Sequence, residues 1–202
     1  MVDGVIKVVD NYARRLVNYC DVVVFCAETR GFSKEDDEKL PYKVLRCHSV
    51  PIIGYDYDLP TPALDPLFEA QIIRSGIDMV HIHSPFAVGM AGLLYAKLHR
   101  IPVVATLHSQ YKQDFEKPLR TDLGLKLVMG RIMGVFIACD ECWAVNAGIK
   151  DLYEKEYGLT APCKVRLNAT DHKPVEDPEE AARARPRSSW KAPAPPQLSL
   201  RA

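Results

Sequence analysis

The chain has 202 residues, 48 % of them hydrophobic and 26 % charged, which is the composition of one soluble globular domain. Lys plus Arg equals Asp plus Glu, 26 each, so there is no basic excess of the kind that binds nucleic acid. The opening MVDGVIKVVDNYARRL has no basic region followed by an apolar one, as a secretory signal requires, and no run of about 18 apolar residues offers a membrane span.

In chain order, residues 5–19 place Val5, Val8, Val9, Tyr12, Leu16 and Tyr19 at helical spacing and predict an amphipathic helix. Residues 21–27 (DVVVFCA) are a continuous apolar run too short for a buried helix, and predict a buried strand. Residues 42–47 predict a second strand, joined to the first by GFSKEDDEKLP, which reads as a charged surface connection. Residues 50–62 hold three prolines and a glycine and read as a loop. A helix over 64–75 follows, with Gly76 as its cap. Strand 77–83, helix 87–99, strand 101–108 and helix 119–134 come next. Strand 141–145, helix 147–157 ended by Gly158, and strand 163–167 complete the series.

Unbroken apolar strands alternating with helices need cover on both faces. The expected fold is therefore α/β, a Rossmann-like open and mostly parallel sheet with helices on both sides. From His172 proline and charge dominate, so 172–202 is expected to be a low-complexity, disordered tail to a domain of 1–171.

Ligands of such sheets bind beyond the carboxyl ends of the strands. Two segments place polar residues there. In His81-Ile82-His83-Ser84-Pro85-Phe86 the two histidines are two apart and share a strand face, and Ser84 is positioned to cap the next helix. His81 reads more readily as a satisfied core histidine. In Thr106-Leu107-His108-Ser109-Gln110-Tyr111, Thr106 and His108 share a face, and a neutral His108 suits orienting a hydroxyl or sharing its proton. Tyr111 and Lys112 are placed to line a sugar or phosphate. Gly4 precedes the first helix, as a ligand-approach loop or a plain turn. Cys139-x-x-Cys142 has metal spacing, but no second CxxC or suitably spaced histidine follows, so all six cysteines read as ordinary thiols.

The block IDMVHIHSPFAVGMAGLLYAKLHRIPVVATLHSQY (77–111) resembles the most recognisable stretch of family 4 glycosyltransferases. In that family a strand ending in an HxH-type motif is followed by Ser-Pro-Phe or similar, then a helix, a strand and a Thr-x-His turn. Val2-Asp3-Gly4-Val5, Cys142-Trp143-Ala144-Val145-Asn146 and Asn168-Ala169-Thr170-Asp171 resemble flanking segments, so the likeness covers roughly 2–171. It implies the N-terminal, acceptor-binding half of a GT-B fold, in a retaining enzyme that uses a UDP- or GDP-sugar as substrate and no metal. It implies further that His108 contacts the transferred sugar, that Gly4 lies near the donor phosphates, and that His83, Ser84, Phe86, Thr106, Tyr111 and Lys112 shape the acceptor side.

Three departures qualify the match. The family's first, central strand precedes the Asp-Gly loop with which this chain opens, the donor domain has no counterpart after Asp171, and Ala169 stands where the family prefers glycine. The expectations are an absent first strand, little or no transfer by this chain alone, and a separate chain supplying the donor domain. A non-catalytic binding protein or degenerate remnant is the alternative. The expected location is the cytoplasm. LGLKLVMGRIMG (123–134) fits either core packing or peripheral contact with the inner face of a membrane.

Overall fold

The computed structural model describes residues 4–52, 58–116 and 121–168. The expected tail, Val2, Asp3 and Ala169–Asp171 lie outside the described residues.

Helix α1 (Gly4–Leu16) forms where the apolar spacing predicted it and buries Ala13. Its polar anchor is Asp10, whose carboxylate accepts from Tyr42 Oη at 2.7 Å and Arg14 Nε at 2.8 Å. Strand β1 (Val23–Ala27) pairs in parallel with β2 (Lys43–Cys47), Val23 opposite Lys43 and Ala27 opposite Cys47.

The charged connection between them is not purely irregular. It contains a short helix, α2 (Lys34–Glu38). Arg46 of β2 grips Asp37 with Nε and Nη2 at 2.6 and 2.8 Å, donates to the Ala27 carbonyl at 3.0 Å, and stacks 4.6 Å over the Phe32 ring. One inward carboxylate thus docks a segment whose charge pattern suggested only solvent.

The proline-rich loop also carries structure. β3 (Ser49–Pro51) and β4 (Asp58–Pro60) form an antiparallel pair, Ser49 opposite Pro60 and Pro51 opposite Asp58. Prolines are tolerated in such a short edge ribbon, which is why their number misled the sequence reading. Helix α3 (Pro66–Arg74) follows, with Asp65 Oδ1 accepting from the Phe68 N–H at 2.9 Å and Oδ2 from the His48 N–H at 2.9 Å. Gly76 at φ +57° supplies the left-handed residue just past its end.

The main sheet is four-stranded and parallel, in the order β5 (Val80–Ile82), β6 (Val103–Leu107), β7 (Glu141–Ala144), β8 (Cys163–Val165). β6 is buried along its whole length, as its VVATL sequence requires. Its start is tied down by Asp140, whose carboxylate accepts from the Val103 N–H at 2.8 Å while its own N–H donates to the Val103 carbonyl at 2.8 Å.

Helices α4 (Ala87–His99), α5 (Tyr111–Glu116), α6 (Asp122–Ile137) and α7 (Ala147–Asp151) complete the fold. α5 had no counterpart in the sequence reading. α6 buries Ile132, Met133, Val135 and Phe136 and leaves Leu123 and Leu127 exposed. None of the helices among the described residues is long and apolar enough to cross a membrane. The architecture is a mixed α/β fold, mostly parallel, with helices on both faces.

The core is in two parts. One gathers Leu45, Cys47, Phe68 and Ile72 under β1 and β2. The larger surrounds β6 and β7 with Phe136, Tyr153 and Ile132. α4 touches both, through Val88 and Tyr95 on one side and Ala96 on the other. Among the described residues β1 bonds only to β2, and β5 only to β6. β1 is consequently half-buried along its length, where its sequence led us to expect full burial.

Candidate functional site

β5 and β6 run in parallel with His81 opposite Val104 and Ile82 opposite Ala105, so His83 and His108 emerge together at the carboxyl edge. Side chains two apart share a face, and the two strands interlock at two successive levels. In the lower one His81 Nε2 lies 2.7 Å from Thr106 Oγ1. In the upper one His83 Nδ1 lies 3.0 Å from His108 Nε2. Each pair spans 25 residues, the same step repeated one level higher. The H-x-H and T-x-H patterns are therefore two halves of one ladder.

Aromatic rings enclose it. His81 and His83 stand 4.0 Å apart between ring centres, and His83 stacks with His108 at 5.3 Å. Tyr12 of α1 leans on both, at 6.1 Å from His81 and 5.8 Å from His83. Trp143 of β7, in register with Thr106, presents its edge to His81 at 4.9 Å. Burial, aided by the neighbouring His108, pushes the His81 pKa down to about 4. Burial again, with His81 and His108 adding to it, pushes His83 down to about 2. Both rings are thus neutral near pH 7, and a neutral imidazole offers one donor and one acceptor. Such a group can orient a hydroxyl or share its proton.

The other predicted residues are placed as follows. Thr106 is 1 % exposed and its hydroxyl is engaged by His81, so it lies beneath the edge. Ser84 is exposed but does not cap α4. The helix begins at Ala87, its N-cap residue is Phe86, and no side chain bonds there. Phe86, two residues later, occupies the N-cap position instead. The Ser84 carbonyl instead packs against Gly89, where a Cβ would come within 1.9 Å of it.

Phe86 is 42 % exposed and meets Tyr111 at 5.7 Å and Phe115 at 6.0 Å, both edge-on. Tyr111 is buried, stacked on Phe136 at 6.2 Å. Lys112 is exposed on α5. Gly4 opens α1 in unobstructed space, eight residues and so about 12 Å of helix before Tyr12. The structure therefore brings His81, His83, Thr106 and His108 into one cluster and Phe86 and Tyr111 into a neighbouring one. Gly4 joins neither.

Four contributors escaped the sequence reading. Tyr12 belongs to the apolar series of α1, and Trp143 to a short strand, so neither stood out before the register was known. Gly89 is hidden among small residues of α4. Tyr153 is fully buried in a π-turn (Leu152–Glu156) and donates its hydroxyl to the Ser109 carbonyl at 2.9 Å, pinning the turn that carries His108. Such turns often mark functional regions. Beside that turn Gln110, Asn146 and Gly148 border an open depression at the same edge. Cys139 and Cys142 are buried thiols whose Sγ atoms donate to the Val135 and Phe136 carbonyls at 3.3 and 3.4 Å.

Over 39 residues the chain is 54 % identical to the alpha-monoglucosyldiacylglycerol synthase of Acholeplasma laidlawii. That stretch is 19 % of this chain and 10 % of the relative, so the match spans about a tenth of the relative's length. The family profile described as Glycosyltransferase Family 4 matches residues 2–173, most of the chain and all of the histidine ladder. The chain belongs to glycosyltransferase family 4.

Proposed function

We propose that the chain is the acceptor-side domain of a retaining glycosyltransferase that moves a sugar from a UDP- or GDP-sugar to an acceptor hydroxyl. The observation that carries this is the contact between His83 and His108 at the carboxyl edge of adjacent parallel strands, where ligands of such sheets bind. In this reading His108 touches the transferred sugar. Gly4 lies toward the donor phosphates, and His83, Ser84, Phe86 and Lys112 face the acceptor. Thr106 and Tyr111, both buried, support that wall from beneath. The reaction breaks the bond from sugar C1 to the diphosphate and forms one from C1 to the acceptor oxygen. The acceptor proton leaves, and fixed dipoles stabilise the departing diphosphate.

The reading includes one more parallel strand between β1 and β5. The edges of those strands left unpaired among the described residues, the half-burial of β1 and the reach of α4 across both cores support it. It also includes a second Rossmann-like domain, on this chain or another, that holds most of the donor, so transfer by these 202 residues alone is expected to be weak or absent. The relative's name favours a lipid acceptor among the alternatives, and with it a cytoplasmic protein working at the inner face of a membrane.

Thermal unfolding with and without UDP-glucose or GDP-mannose tests the reading. A cooperative transition that rises with one nucleotide sugar supports it. A cooperative transition unmoved by either, at millimolar concentration, favours a non-catalytic binding protein.

A further inference from the structure

We infer that His83 is a positioning residue for His108, sharing one proton across the upper level of the ladder so that His108 is held in a single tautomer and orientation. This rests on the reading of His108 as the sugar-contacting group. The chemistry follows from the contact itself. Two imidazole nitrogens 3.0 Å apart require one hydrogen between them, donated by one ring and accepted by the other. A neutral ring at either position then carries its proton on a defined nitrogen. If His83 donates from Nδ1, His108 keeps its own proton on Nδ1. If His108 donates from Nε2, His83 keeps its own on Nε2.

His83 is itself held from two sides. His81 lies 4.0 Å away between ring centres, Tyr12 lies 5.8 Å away, and His81 is anchored in turn by Thr106 at 2.7 Å. The lower level is thus a brace and the upper level carries the working ring. From the other direction, Tyr153 fixes the Ser109 carbonyl next in sequence to His108. The ring of His108 is held by His83, and its backbone runs into a turn that Tyr153 pins one residue further on, which limits the geometries in which it meets a substrate.

The test uses the full chain labelled with 15N-histidine, reading tautomers from the imidazole nitrogen shifts. Two substitutions separate position from polarity. Asparagine places its amide where the histidine Nδ1 stands and can donate or accept, whereas glutamine reaches the Nε2 position instead. The wild-type chain is expected to show His108 as one tautomer, His83→Asn to retain it, and His83→Gln to lose it to averaging. His81, bonded to Thr106, should keep its single tautomer in both variants. An averaged His108 in the wild type, or a His108 signal unchanged in His83→Gln, overturns the inference. So does loss of the His81 signal in both variants, since position 83 would then matter for packing alone. Failure of nucleotide sugars to bind while the tautomer pattern stands would instead count against the transferase reading.

Discussion

Acidification from about pH 7 to about pH 5 should loosen this domain through two histidines. In the unfolded chain each ionises near 6.5, whereas in the fold burial holds His81 down to about 4 and His83 down to about 2. Within that window the unfolded state binds more protons than the folded one, so stability falls as pH falls. Both contributions are fully present above about pH 6.5, and they are lost progressively below it. An unfolded imidazole goes from about one-quarter protonated at pH 7 to almost fully protonated at pH 5, worth about 2 kcal/mol for each histidine. The pair should therefore cost about 4 kcal/mol, a large part of the 5–15 kcal/mol that holds a typical domain together. The carboxylates of Asp37, Asp65 and Asp140 are held below their usual range by Arg46, by the Phe68 N–H and by the Val103 N–H respectively. Their loss begins only near pH 4 and lies outside the window. Urea unfolding followed by circular dichroism reads the effect. With a slope of about 2 kcal/mol per molar, the midpoint should drop by about 2 M between the two pH values. A double variant, His81→Gln with His83→Asn, removes both buried rings and should flatten most of that drop. A midpoint in the wild type that moves by less than about 0.5 M would refute the argument that these rings are buried and neutral.

Three substitutions test other joints of the structure. Gly89→Ala forces a methyl against the Ser84 carbonyl, and should cost about 1–3 kcal/mol in chemical denaturation, the range for overpacking; a neutral result would mean the Ser84 turn is loose. Arg46→Ala removes the paired bonds to Asp37 and the bond to the Ala27 carbonyl, and should cost about 2 kcal/mol, with both side chains mostly buried. Faster amide exchange confined to α2 and the β1–β2 pair would locate that loss. Tyr153→Phe deletes one hydroxyl bond to Ser109 and should cost about 1 kcal/mol, with the His108 ring signals broadened while those of His48 stay unchanged.

Much of the order of elements was legible because apolar spacing switches cleanly between helical and extended periods. α4 was bounded at Ala87 and His99, as found, and α1, β1, β2 and β6 fell within a few residues of their observed limits. Where reading failed, a single long-range contact decided the local structure. Arg46 made a docked helix of a charged run, and pairing across residues 49–60 made strands of a proline-rich stretch. α5 was passed over because its six residues hold too little periodicity to register. At the candidate site the two histidine motifs were visible from their period-two spacing, but their interlock was not. That the step is 25 residues, and that Tyr12 and Trp143 close around it, depends on strand register and helix placement, which spacing within one segment does not carry. Ser84 misled for a related reason. A serine ahead of a helix looks like a cap, but here the helix starts late enough that Phe86 takes the N-cap position.

The decisive experiment is a titration of the 15N-histidine-labelled chain with UDP-glucose and GDP-mannose, watching the six histidine side chains separately. Saturable shifts are expected at His108 and His83 with one of the two nucleotide sugars, and none at His48 or at His99, which closes α4 ahead of the amino end of β6. Saturable shifts elsewhere with the pair unmoved, or no shifts at all in a cooperatively folded sample, would contradict the assignment of the sugar site to the carboxyl edge of β5 and β6.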